Sequence, residues 1–367
     1  MPPPEYIFEE HAFFEGRHGT LYRAKYADTS SSAAGGDDSR APVPVFTLVV
    51  KKIAAKGEDD IAKAHQEVAA HQYVQHLPRG AGTNSNPVPH PNIIQCLNAY
   101  KKDGFIHLVM PLAHTDLEQH VNSHGPLQVD EQRVVTRGLM SALQHVHGKG
   151  VTHRDVNAAN VLLNLERGEG EGEGGSRGRI AGVLLCDFAW AAKDKHAIPW
   201  RDYMGTLGQH APEVLIGPVC WQGQQQQPSS KADMFSAGCV LFCMATGQPS
   251  PFLPDMQELA DLQRMHGVRG VGTFRALDRM VSFKGSMLEY GNKDEACEVP
   301  SVEAFKERFP DIHTDMADLI WSLWEYDPEK RPSASQVLQH PFLQPQPPAA
   351  AAASAGGVDR VEGAEVQ

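Results

Sequence analysis

The sequence predicts a bilobed α+β fold, with a small antiparallel β-rich N-terminal lobe carrying one main helix and a larger, mostly helical C-terminal lobe. Three observations carry this. The length of 367 residues exceeds what one hydrophobic core usually organises. Up to residue 110, β-like runs alternate with turns around one helical stretch. From residue 115 onward the apolar spacing turns mostly helical.

In the first part, GTLYRAKY (19–26), VFTLVVKKI (45–53) and FIHLVM (105–110) read as strands, and DIAKAHQEVAAHQYVQHL (60–77) reads as the helix. In the second, helical spacing runs through DEQRVVTRGLMSALQHVHGKG (130–150), KADMFSAGCVLFCMATG (231–247), DMADLIWSLWEYD (315–327) and SASQVLQHPFL (333–343). Val151 and Val161–Leu163 look like short strands feeding a core. A β lobe set on a helical lobe leaves a cleft where a ligand can bind.

Three segments read as flexible: residues 28–44, rich in Ser, Gly, Asp and Pro; the Gly/Glu tract 166–178; and a Pro/Ala-rich tail, 345–367. Residues 1–5 are expected to be a disordered start. Hydrophobic residues at 41% and charged residues at 21% describe an ordinary globular chain. A net charge of −12 argues against nucleic acid as a direct partner. The start, MPPPEYIFEE, lacks a signal-peptide pattern, and the apolar run 237–245 is too short to cross a bilayer, so no membrane partner is expected. The six cysteines show no zinc spacing and read as free thiols, Cys239 and Cys243 as core residues. These features lead us to expect a soluble intracellular protein, in the nucleus or the cytoplasm.

The chemistry concentrates in a few stretches. Gly16 and Gly19 in FFEGRHGTLYRAKY offer a turn whose backbone can approach phosphate oxygens. Lys51 lies in an apolar strand; alternation sends it and Lys52 to opposite faces. Glu67, on the helix, is placed to pair with Lys51 and orient its ammonium toward a nucleotide's phosphates. In VTHRDVNAANVLLN, Asp155 can accept a hydrogen bond from an incoming hydroxyl. Asn160, together with Asp187 in LLCDFAWA, supplies oxygen ligands of the kind Mg²⁺ prefers. One carboxylate for the nucleophile and an amide for the metal, at a fixed separation, is what phosphoryl transfer requires.

These stretches, in this order, resemble the eukaryotic protein kinase signature set. The resemblance covers residues 6–344: an N-lobe over 6–110, a hinge over 111–114 and a C-lobe over 115–344. It implies the bilobed protein kinase fold and ATP and Mg²⁺ as cofactors. It identifies Asp155, Lys51 and Asn160 as catalytic residues. It assigns nucleotide contacts to Gly16, Gly19, Leu21, Lys51, Glu67, Met110 at the gatekeeper position, Leu112, Leu162 and Asp187, and metal binding to Asn160 and Asp187. Asp233 in ADMFSAGC should bond the catalytic-loop backbone, and Arg331 should pair with Glu213 of APE. The implied activity is serine/threonine protein kinase, with protein substrates. GTLGQHAPEVL (205–215), ADMFSAGCVLF (232–242) and ELADLQRMHGVRG (258–270) are similar to the cell-division-cycle kinases that act at replication origins with an activating subunit.

Four positions depart from the pattern. Phe14 stands at the first loop glycine, Ala189 at the glycine of the metal motif, His71 at an apolar helix position, and Asn157 where serine/threonine kinases carry a phosphate-holding lysine. They motivate the alternative of a nucleotide-binding scaffold without transfer. Thr206 matches the serine/threonine class. Between Phe188 and Met204 there is no Ser or Thr, and only Tyr203 could be modified. The activation segment is therefore expected to take its order from a docked subunit or to be ordered without modification.

Overall fold

In a computed structural model, residues 5–16, 18–27, 46–77, 88–166, 178–193, 205–206, 208–215, 229–249, 301–325 and 327–344 are described. The loop 28–44, most of the Gly/Glu tract, the tail 345–367, residues 1–4, Tyr203 and residues 258–270 lie outside them.

The N-terminal lobe is an antiparallel sheet of six strands: β1 Tyr6–Phe8, β2 Phe14–Gly16, β3 Gly19–Tyr26, β4 Leu48–Ala54, β5 Asn98–Lys102 and β6 Phe105–Pro111. Its order is β1-β3-β4-β6-β5, with β2 on β3. Helix α1, Glu58–Val74, packs on this sheet. The alternation expected of β4 holds: Lys51 is buried, while the Lys52 ammonium lies over the Tyr22 and Phe105 rings at 5.1 and 4.8 Å. Strand β4 begins at Leu48 rather than Val45, and α1 stops three residues short of Leu77.

The second lobe follows Pro111. It contains β7 Thr115–Asp116, α2 Leu117–His124, α3 Val129–Gly148, β8 Val151–Thr152, β9 Val161–Glu166, β10 Arg179–Leu185 and β11 Ala192–Lys193. Helices α4 Pro212–Leu215, α5 Ser230–Thr246, α6 Val302–Arg308, α7 Thr314–Leu323 and α8 Ala334–Val337 complete the described part. Strands β9 and β10 form a hairpin against α3, and β8 pairs with β11.

Helix α5 is buried on nearly every side, which explains a sequence apolar all round rather than on one stripe. Cys239 and Cys243 are free thiols in its core. Gly238 is required there, because a Cβ would come within 2.8 Å of the Trp324 ring. The last two expected helices are shorter than their patterns. Helix α7 ends at Leu323, ahead of Asp327-Pro328, and Pro341 divides the final segment into α8 and a 3₁₀ turn at Pro341–Leu343.

Arg331 is buried and grips Glu213 with two parallel bonds of 2.6 Å, as the family resemblance implied. His71, which broke the apolar pattern of α1, is also buried. Its Nε2 donates to the Ile94 carbonyl at 2.6 Å, and its ring packs on Phe188 at 5.3 Å. The polar departure is thus satisfied and the helix packing intact.

Burial lowers the His71 pKa from 6.5 to about 4. A histidine held neutral in the folded state gives its full stability above its unfolded value and loses it as pH falls from 6.5 toward 4. We predict that the wild type loses roughly 2–3 kcal/mol more than His71→Leu over that window, measured by denaturant titration at stepped pH.

Candidate active site

Strand β4 carries Lys51 into the gap between the lobes, where its ammonium meets two carboxylates. Nζ donates to Glu67 Oε1 on α1 at 2.7 Å and to Asp187 Oδ1 beyond β10 at 2.9 Å. Burial alone would strip the lysine of its charge, but Asp187 and then Glu67 outweigh it, and its pKa rises. Asp187 is pulled down to about 2 because the Lys51 charge overcomes its burial. Glu67 goes the other way. Burial, aided by Asp187, pushes it up to about 7 against the pull of Lys51. One ammonium serves two carboxylates, and Asp187 holds the ionised share.

The loop after β8 is pinned from below. Asp233 of α5 accepts from the backbone N–H of His153 and of Arg154, each at 2.8 Å, and its Oδ2 lies 2.8 Å from His147 Nε2. The His153 ring takes the Asp155 N–H on Nδ1 at 3.3 Å, so its Nε2 donates to the Cys186 carbonyl at 3.0 Å. That bond ties the loop to the residue before Asp187. Arg154 and Asp187 both adopt positive φ, 70° and 61°, an uncommon conformation that tends to gather at working sites.

Around Asp155 the side chains converge. Oδ1 accepts from Asn157 Nδ2 at 2.9 Å and from Thr206 Oγ1 at 2.7 Å, and Oδ2 from Asn160 Nδ2 at 3.1 Å. Asn157 Nδ2 also lies 2.8 Å from Thr206 Oγ1, and its Oδ1 caps the Ala158–Asn160 turn by accepting the Asn160 N–H at 2.9 Å. The lysine missing from the sequence is thus replaced structurally, though not in charge. Thr206 can come this close because Gly205 has φ +94°, and a Cβ there would sit 2.6 Å from the Arg154 carbonyl.

Gly16 and Gly19 lie at the facing ends of β2 and β3, as expected of the turn. Gly19 has φ +136°, and a Cβ on it would meet the Lys52 carbonyl at 2.6 Å. Phe14 is exposed, its ring folded back over Gly16. At the tip of the turn, the His18 ring meets Trp190 edge-on at 4.8 Å, a contact that links the turn to the segment after Asp187. Leu21, Leu112 and Leu162 pack on the hydrophobic cluster that includes Met110, so four separated positions share one apolar wall. The Leu112 N–H is taken by the Thr47 carbonyl.

The donor set suits a hard cation bound jointly with phosphate. Asn160 commits its Nδ2 to Asp155, which leaves its side-chain oxygen as the group a cation would take, and the Lys51 charge holds Asp187 down at about 2. Among the described residues, no group of three or more His, Cys, Asp or Glu could hold a metal by itself. Two protein ligands completed by phosphates is a usual Mg²⁺ arrangement. No helix among the described residues is long and apolar enough to cross a membrane.

Among the contacts outside the sequence reading are His147 on Asp233 and His18 on Trp190. Each joins segments far apart in the chain, and no local pattern signals it.

The charge sharing at Lys51 has a testable sign. A carboxyl whose folded pKa is raised contributes stability that is full below its unfolded value of 4.5 and lost as pH rises through about 7. Glu67→Gln keeps the hydrogen-bonding shape without that titration. Its thermal midpoint relative to wild type should rise by a few degrees between pH 5 and pH 8, as followed by circular dichroism.

Residues 47–343 match the protein kinase domain family. The chain is 28% identical over 273 residues to the serine/threonine-protein kinase US3 homolog of Gallid herpesvirus 2 (strain GA), covering 70% of this chain and 59% of that protein. It is 25% identical over 261 residues to the MAPK/MAK/MRK overlapping kinase of Mus musculus, covering 70% and 55%. It is also 25% identical over 267 residues to mitogen-activated protein kinase HOG1 of Wallemia muriae, covering 72% and 85%. The chain thus spans a little over half the length of the first two of these relatives. With the family matched across both lobes and around the site just described, the chain belongs to the protein kinase domain family.

Proposed function

We propose that the protein is an active serine/threonine protein kinase that transfers the γ-phosphoryl group of ATP to a protein hydroxyl. The observation that carries this is the Asp155 carboxylate, held on both oxygens by Asn157, Thr206 and Asn160 in a loop that His153 ties to Cys186, the residue before Asp187.

In this reading the substrate hydroxyl donates a hydrogen bond to Asp155 and its oxygen attacks the γ-phosphorus. The bond from that phosphorus to the bridging oxygen breaks, ADP leaves, and the hydroxyl proton passes to Asp155. Lys51, kept cationic by its two carboxylates, contacts the nucleotide's phosphates, and Glu67 holds its ammonium in place. Gly16 and Gly19 let the backbone of the β2–β3 turn approach those phosphates. Leu21, Met110, Leu112 and Leu162 form the wall for the adenine ring. Asn160 and Asp187 would hold Mg²⁺, which supplies neutralisation of phosphate charge when bound. Thr206 beside Asp155 favours the serine/threonine class.

The narrower placement among cell-division-cycle kinases, with a nuclear role and an activating subunit, has less support. It rests on three short stretches, one of which lies outside the described residues, and the relatives above carry other names. The competing reading is a kinase-shaped binding module, favoured by the uncharged Asn157.

Transfer of labelled γ-phosphate from Mg·ATP to a generic protein substrate separates the two. Asp155→Asn should abolish label on serine and threonine while keeping the ATP-dependent rise in thermal midpoint. Label that persists unchanged in Asp155→Asn would refute the role given to Asp155; a wild type that binds ATP and labels nothing would favour the module. Asn157→Lys restores a cation facing the transferring phosphate. We expect kcat to rise several-fold, with a KM for ATP within about twofold of wild type.

A further inference from the structure

The elements that carry Glu67, Asp155 and Asp187 converge on one exposed aromatic side chain, Tyr73, which has no part in the chemistry above. Tyr73 lies in the last turn of α1, beyond Glu67 on the same helix. Its ring has the Lys193 ammonium 4.1 Å from its centroid and the Lys149 ammonium at 5.1 Å. Lys149 also donates to the Tyr73 carbonyl at 2.8 Å, and the Tyr73 hydroxyl lies 3.5 Å from the Lys149 carbonyl. Lys149 caps α3 immediately before β8, the strand that leads into Asp155. Lys193 belongs to β11, which follows Asp187 and pairs with β8 through the Lys193–Val151 and Ala192–Thr152 registers.

The ring is thus a single low-entropy body contacted by cations from two other elements, and an aromatic face attracts cations without needing a fixed hydrogen-bond geometry. The need for such a contact is visible in the chain. The β8–β11 pairing spans only two residues, too short to hold β11 alone. The stretch 188–204 that contains β11 offers no serine or threonine whose phosphate could order the segment, and Tyr203 alone could be modified. A second tie between α1 and the same segment is weak, Gln66 Nε2 to the Ala191 carbonyl at 3.4 Å.

We propose that Tyr73 is a positioning residue: its ring, held against Lys149 and Lys193, fixes the start of the activation segment to α1 and to the root of the catalytic loop, in place of activation-loop phosphorylation. The proposal rests on the kinase reading for its catalytic consequence, but its structural consequence can be read without any transfer.

The test pairs hydrogen exchange with kinetics on the full chain. Tyr73→Ala should raise amide exchange at β8 and β11 at least fivefold and lower kcat by about five- to tenfold, with the KM for ATP within twofold of wild type. Tyr73→Phe keeps the ring and removes only the long hydroxyl contact, so it should restore both readouts. Lys193→Met, an exposed change, should reproduce most of the Tyr73→Ala effect without loss of folding. Exchange at β8 and β11 that is unchanged in both Tyr73→Ala and Lys193→Met would overturn the proposal, as would a Phe variant as impaired as Ala. If the wild type transfers no phosphate, the kinase reading fails while the exchange pattern still decides the role of Tyr73.

Discussion

The arrangement of the site depends on one buried carboxylate, that of Asp233. Being 1% exposed, it would be costly to ionise alone, yet its pKa is lowered because hydrogen bonds from the His147 and His153 side of the pocket outweigh burial. Two of those bonds come from consecutive backbone N–H groups, at His153 and Arg154, which forces the chain into a sharp bend. Arg154 accepts a left-handed conformation as a result, a cost of about 1–3 kcal/mol that charge-assisted bonds can offset. The position of Asp155 follows from that bend. The local bonds among His153, Asp155, Asn157 and Asn160 shape the loop beyond the bend, and the anchor in α5 holds the bend itself.

Above the loop, the balance at Lys51 works by a different principle. A single ammonium between two carboxylates leaves one excess negative charge in a dry place, so the two carboxylates titrate as a coupled pair. Asp187, reached also by the Ala189 N–H at 3.3 Å, is pulled down by the Lys51 charge, and burial pushes Glu67 up. Ala189 replaces glycine here without disturbing that hydrogen bond. In the proposed reading, that arrangement suits a ligand that brings its own negative charge and its own cation.

Much of this was legible in the sequence, for identifiable reasons. Lys51 stood out because a lysine inside an apolar strand must either snorkel or find a buried partner, and Glu67 was within reach on the one N-lobe helix. Asp155 and Asn160 stood out by a spacing no plain hairpin requires. Asn157 and His71 were harder to read, since both look like losses against the family pattern. Their partners, Thr206 and the Ile94 carbonyl, lie elsewhere in the chain, and the first depends on the backbone freedom of Gly205. Helix ends were blurred for a simpler reason: apolar spacing continues past Leu323 and Val337, whereas turn chemistry at Asp327-Pro328 and Pro341 decides where the helix stops.

The anchor at Asp233 also has a consequence in time. The bonds from His153 and Arg154 to Asp233 close loops of 80 and 79 residues, and the Arg331–Glu213 pair closes one of 118. Such distant contacts make a fold slow to nucleate and tie its completion to the far end of the chain. A ribosome emitting the protein from its N-terminus exposes the catalytic loop long before α5 has emerged. The strands of the first lobe can pair early, but the bonds from His153 and Arg154 to Asp233 form only once α5 docks. The shape of the loop around Asp155 is therefore a late event in the life of each new chain, completed only after most of it has been made.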